Sequence, residues 1–226
     1  MGTWRLRGVI FDMDGVLCDS EHLICEAARM MFRTVHGVDV GADEFTPFVG
    51  TGEDRYLGGV AERRGVRLDM PADKQRTYAI YLELIKGRLR PLPGVMDFTA
   101  ACRARGLKLA VGSSADRIKV VGNLAEIGLP TERFDAIATG SDVARKKPFP
   151  DLFLRAVELI GVPAADCLVI EDAVSGVRAG KAAGAKVLGL TTSFPADALR
   201  AVGADWIAPD LSAVPGDIMA SAAAQR

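Results

Sequence analysis

The chain has 226 residues, 49% of them hydrophobic, with 28 Lys and Arg against 29 Asp and Glu for a formal net charge of −1. Such a length supports one domain with a good core, or one domain plus a small insert, and the balanced charge excludes the basic stripe of a nucleic-acid-binding protein. No apolar run reaches about 18 residues, so no membrane span is expected.

Met1 to Arg7 lacks the apolar core of a signal peptide. Four cysteines, Cys18, Cys25, Cys102 and Cys167, form no C-x-x-C pair, which points to reduced thiols in a cytoplasmic protein. Two histidines, His22 and His36, are too few for a zinc site with those cysteines. A monomer is the default expectation.

The chain opens on a buried strand, Val9-Ile10-Phe11, followed by Asp12-Met13-Asp14-Gly15. Residues two apart in an extended chain point to the same side. Asp12 and Asp14 can therefore converge just beyond the strand's carboxyl end, where open α/β sheets place ligands. Such a pair suits an ionised nucleophile beside an acid/base group. It equally suits a strand-end cap and turn pair. Two carboxylates and a phosphate repel, at about 4 kcal/mol per pair of unit charges 4 Å apart at a dielectric of about 20. Phosphoryl chemistry here would need a hard cation and a lysine.

Ser20 is expected to cap a helix that carries Leu23, Ala27, Met30, Met31 and Thr34 on one face and ends at His36-Gly37. Phe45–Asp54 reads as a loop, with helices resuming over Arg55–Arg64 and Ala72–Lys86. Residues 20–90 thus form a small all-helical insert, and Arg88–Val95 a linker. Beyond it the pattern becomes β-α-β. A helix covers Asp97–Arg105, a strand Leu107–Val111, and a small-residue loop Gly112–Asp116 that can hold phosphate. A strand at Phe134–Ala138 precedes the loop Lys146-Lys147-Pro148 and a helix over Leu152–Ile160. The strand Cys167–Ile170 ends in Glu171-Asp172. A helix to Ala183, a strand Lys186–Thr191 and an edge strand at Asp205–Ala208 follow, and the Ala-rich tail from Ser212 to Arg226 suits a short helix or fraying. The fold class is α/β, a Rossmann-like parallel sheet core (1–19 and 91–226) with an inserted helical cap (20–90).

Phe11-Asp12-Met13-Asp14-Gly15-Val16-Leu17 resembles the first motif of the haloacid dehalogenase-like (HAD) superfamily. Ser113, Lys147 in Lys-Pro-x-Pro-Asp, and Glu171-Asp172 match its later three motifs in order. The insert's placement resembles the subfamily I cap, and the overall sequence the group containing β-phosphoglucomutase and phosphoglycolate phosphatase. Segments Gly50–Glu53, Leu57–Ala61 and Ser113–Val120 look like the HAD domain of the plant suppressor of quenching proteins.

The resemblance implies Asp12 as nucleophile, Asp14 as acid then base, and Ser113 and Lys147 as phosphoryl holders. It also implies Mg²⁺ held by Asp12, the Asp14 backbone carbonyl, Asp172 and Glu171. Ser114, Arg55 and Arg117 are candidate phosphate or substrate contacts. An acid/base Asp14 disfavours dehalogenation. Ile24 and Glu53 stand where β-phosphoglucomutases carry a hinge His and a phosphate-gripping Arg, which argues against a mutase. The expectation is a Mg²⁺-dependent phosphatase acting on a small phosphorylated metabolite, a sugar phosphate or phosphoglycolate-like ester. A phosphomutase and a non-catalytic binding module are the alternatives.

Overall fold

A computed structural model describes residues 4–222. Its centre is one six-stranded, wholly parallel sheet. The strands are β1 (Gly8–Phe11), β2 (Lys108–Gly112), β3 (Ala136–Ala138), β4 (Cys167–Glu171), β5 (Lys186–Leu190) and β6 (Trp206–Ala208). Their spatial order is β3-β2-β1-β4-β5-β6. β1 is buried along its whole length and pairs with both β2 and β4, so the chain's direction of travel across the sheet reverses beside it. That reversal opens a crevice at the strands' carboxyl ends. The register aligns Phe11 with Val111 on one side and Ile170 on the other, which brings the residues just past all three strands to the same level.

Alternation along β1 splits the core. Val9 and Phe11 join one apolar cluster, and Ile10 joins another with Ala110 and Phe153. Helices α4 (Val95–Ala104), α5 (Arg117–Glu126), α6 (Asp151–Ile160) and α7 (Val174–Ala182) belong to the crossovers. The sequence reading leaves unassigned a helix α8 (Ala196–Ala201), whose short pattern offers little periodicity. The tail holds α9 (Gly216–Ala220); the part of the tail reading that falls on residues 223–226 lies outside the described residues.

Between β1 and α4 the chain makes three helices, α1 (Glu21–His36), α2 (Glu53–Arg64) and α3 (Met70–Ile85), with two 3₁₀ turns at Ala42–Glu44 and Thr46–Phe48, the second of them where a plain loop was expected. α1 packs on α3, and α3 on α5. The chain leaves and returns side by side: Cys18 bridges to Pro91, and the Leu92 N–H donates to the Leu17 carbonyl at 3.0 Å.

Two local expectations are corrected. Ser20 sits at the start of α1 but makes no side-chain cap. On α1, Leu23, Ala27 and Met31 are buried, whereas Met30 and Thr34 are exposed, because the buried stripe continues through Ile24, Ala28 and Phe32 instead. No helix among the described residues is long and apolar enough to cross a membrane.

Candidate active site

β1 delivers Asp12. Its backbone N–H donates to the Ile170 carbonyl at 3.0 Å, fixing it beside the end of β4. There Glu171 is fully buried, and Asp172 nearly so. The loop ahead of α6 supplies Lys147, whose buried Nζ donates to Asp12 Oδ1 at 2.7 Å and also to Glu171 Oε1. The second Glu171 oxygen accepts the N–H groups of Asp172 (3.0 Å) and Ala173 (2.9 Å). Gly176 makes room for this: a Cβ there would stand 1.7 Å from Glu171 Oε1. Gly15 has a comparable reason to be glycine, since its φ is +76° and a Cβ would lie 1.8 Å from Asp172 Oδ2.

Asp12, Glu171 and Asp172 each offer a carboxylate oxygen within 4.8 Å of the others. Burial, with repulsion from Glu171, pushes Asp12 up to about 7 despite Lys147. Burial and the neighbouring Glu171 and Asp12 charges push Asp172 up to about 8. Burial opposes the charge on Lys147, but Asp12 and Glu171 outweigh it and hold the ammonium above its ordinary range. One ammonium against three close carboxylates leaves excess negative charge that a hard divalent cation would neutralise, and an all-oxygen donor set suits Mg²⁺. Glu171 is already engaged by Lys147 and two backbone N–H groups, so Asp12 and Asp172 are the carboxylates with capacity to spare.

The Asp14 side chain lies outside that cluster. Oδ1 accepts from the Ser20 hydroxyl, and Oδ2 from Lys119 Nζ at 2.9 Å. Ser20 Oγ in turn accepts from Asn123 Nδ2 at 3.3 Å, and Asn123 Oδ1 accepts from the Tyr81 hydroxyl. The serine expected to cap α1 therefore serves Asp14 instead. Lys119 is buried, 4.0 Å from Glu53 Oε1 and 5.9 Å from the centre of the Tyr81 ring. Burial works against its charge, yet Asp14 and Glu53 hold its ammonium well above the ordinary range.

Asp12, Asp14, Lys119, Lys147, Glu171 and Asp172 line one cavity of about 750 Å³ together with Ser113, Ser114, Arg178 and, from the inserted segment, Glu21, Ile24, Phe48, Glu53 and Tyr56. Ser113 Oγ accepts the Ala115 N–H at 3.2 Å. The Ser114 hydroxyl is buried without a partner and is the freer of the two for a ligand. The structure does not bring Arg55 or Arg117 to the cavity. Arg55 is half exposed, pairs with Glu62 at 2.8 Å and lies over the Phe48 ring. Arg117 is exposed on the first turn of α5. Neither histidine lines the cavity either: His22 faces solvent, and His36 pairs with Asp73 at 2.9 Å.

Sequence reasoning overlooked Lys119, Asn123 and Arg178. A signal existed for the first two. Positions 119 and 123 are one helical turn apart, beside the apolar pair Val120 and Leu124, so they ride the buried face of α5. Arg178 had no signal, since one Arg on a predicted helix is unremarkable.

The haloacid dehalogenase-like hydrolase family model matches residues 6–184. The chloroplastic protein SUPPRESSOR OF QUENCHING 1 of Arabidopsis thaliana is 43% identical over 92% of this chain, which spans only 20% of that protein's length. A phosphorylated carbohydrates phosphatase of Thermotoga maritima is 30% identical over 79% of this chain and 82% of its own. CbbY from Rhodobacter sphaeroides, solved in complex with phosphate and, as a mutant, with xylulose-(1,5)bisphosphate, superposes with a TM-score of 0.81 at 25% identity, covering 92% of this chain and 95% of that one. On these matches the chain belongs to the haloacid dehalogenase-like hydrolase family, as an enzyme of the phosphatase type.

Proposed function

We propose that the protein is a Mg²⁺-dependent phosphomonoesterase that hydrolyses a small phosphorylated metabolite through an aspartyl-phosphate, acting as a monomer, with residues 20–90 as a cap over the cavity. The observation that carries this reading is the buried contact between Lys147 and Asp12 at 2.7 Å beside the Glu171–Asp172 pair. A carboxylate at a strand end, paired with an ammonium, is in its ionised form a nucleophile that needs no activating base.

Asp12 attacks phosphorus, and the bond to the leaving oxygen breaks as Asp14 gives that oxygen a proton. Asp14 then takes a proton from water, which attacks the phosphorus of the aspartyl-phosphate and returns Asp12 as a free carboxylate. Lys147 and the serine hydroxyls at 113 and 114 bind the phosphoryl oxygens. Asp12 and Asp172 would hold Mg²⁺, which would supply charge neutralisation between nucleophile and phosphate. Residues from the cap side of the cavity exclude water. Ile24 cannot shuttle protons at the hinge position, which supports hydrolysis over a mutase. Four free thiols support a reducing compartment such as the cytoplasm.

The test is phosphate release from sugar phosphates, nucleotides and p-nitrophenyl phosphate, with Mg²⁺, with EDTA, and in Asp12→Asn. Release that requires both Mg²⁺ and Asp12 is expected. Release that persists without either refutes the proposal.

A further inference from the structure

The cavity is charged unevenly. Seven carboxylates line it against three cations, Lys119, Lys147 and Arg178. Lys147 is already shared by Asp12 and Glu171, and Lys119 by Asp14 and Glu53. A divalent cation at Asp12 and Asp172 would still leave the lining with excess negative charge. The inserted helices contribute Glu21 and Glu53 to the lining and no cation.

Glu53 is the sharper feature of the two. It begins α2, is only 6% exposed, and lines the cavity. One carboxylate oxygen stands 4.0 Å from Lys119 Nζ, and the Tyr78 hydroxyl donates to the carboxylate. An ionised carboxylate has about four lone-pair sites, more than those two neighbours fill, and a ligand that donates to the rest is favoured. The Tyr56 hydroxyl, also on the lining, donates to Glu21. A second phosphate or a carboxylate brought there would meet only like charge. Ile24 and Phe48 add apolar surface that suits the carbon skeleton of a small ligand.

From this arrangement we infer that the cavity selects a phosphomonoester whose leaving group carries no second anion and presents hydrogen-bond donors, either a neutral polyol or an amino alcohol, with Glu53 as the specificity-determining residue. The inference rests on the phosphatase reading and narrows it: phosphoglycolate and sugar bisphosphates fall outside the favoured class.

The experiment compares kcat/KM across matched esters: 2-hydroxyethyl phosphate and 2-aminoethyl phosphate against phosphoglycolate, and glucose 6-phosphate against glucose 1,6-bisphosphate. p-Nitrophenyl phosphate with Mg²⁺, with EDTA and in Asp12→Asn reports the phosphatase activity separately. The anionic member of each set is expected to be poorer by about tenfold or more. In Glu53→Gln the ratio of anionic to neutral substrate is expected to rise by about tenfold. The rank of the amino and hydroxyl esters tells which donor the site takes. Equal or better turnover of the anionic esters overturns the inference, as does a ratio unmoved in Glu53→Gln. If Glu53→Gln fails to fold, Glu21→Gln and the wild-type ratios decide. Mg²⁺- and Asp12-dependent cleavage with an anionic preference overturns the specificity alone. No cleavage of any ester overturns the phosphatase reading and the specificity with it.

Discussion

Replacing Lys147 with methionine would leave Asp12, Glu171 and Asp172 buried together without their ammonium. At a dielectric of about 20, the 2.7 Å contact to Asp12 is worth about 6 kcal/mol in Coulomb energy, and the contact to Glu171 adds a comparable amount. Desolvating the ammonium takes back several kcal/mol, and removing one partner of a buried pair costs roughly 3–5 kcal/mol net. For a chain of this length that corresponds to a fall in Tm of about 10 °C or more. The loss also depends on pH. With Asp12 pushed up to about 7 and Asp172 to about 8, both are largely protonated at pH 5, and Lys147 then balances Glu171 alone. Thermal unfolding of wild type and Lys147→Met in EDTA, at pH 5 and pH 8, tests this. The destabilisation should be large at pH 8 and clearly smaller at pH 5. An equal loss at both values, or a change of less than about 1 kcal/mol at pH 8, would refute the electrostatic account of the site.

Stability of the metal-free wild type should itself depend on pH. Folded-state values of about 7 and about 8 for Asp12 and Asp172 lie above the ordinary 3.8, so the native state holds protons that the unfolded chain has released. Their contribution to stability is full below about pH 4 and is lost as pH rises from there to about 8, with Tm falling by at least about 5 °C across that window. Added Mg²⁺ should raise Tm more at pH 8 than at pH 5; a flat profile would contradict the cluster's charge state. Arg55→Ala should change kcat/KM by less than about twofold, because Arg55 pairs with Glu62 at the surface; a large loss in steady-state kinetics would return Arg55 to the substrate. Lys119→Met removes a contact that positions Asp14. It should cut turnover of alkyl phosphates by about 100-fold and that of p-nitrophenyl phosphate much less, since nitrophenolate leaves without a proton. Equal losses on both substrates would argue against this role.

The sheet was legible because its strands are short apolar runs closed by turn residues, and parallel strands buried on both faces carry little else. Asp12, Glu171 and Asp172 were legible for a related reason: each sits at a strand's carboxyl end, where backbone geometry dictates which side chains converge, while Lys147, in the loop ahead of α6, was read from its Lys-Pro-x-Pro-Asp motif. The Asp14 contacts were not. Ser20 looks like a helix cap in one dimension, and only the approach of α5 shows that its hydroxyl serves Asp14. Lys119 is 105 residues from Asp14 in sequence, and no local pattern announces a pairing across that separation. Arg55, suggested by its place two residues past Glu53, lies outside the cavity lining, where nearby Glu62 and Phe48 hold its guanidinium.

The central claim is that Asp12 carries the phosphoryl group. Its most direct test is mass spectrometry of the enzyme acid-quenched during Mg²⁺-supported turnover. A phosphoryl adduct on the peptide containing Asp12, absent from an Asp12→Asn variant that no longer turns over, is the result expected here. An adduct on another residue, or turnover that survives in Asp12→Asn, would contradict it.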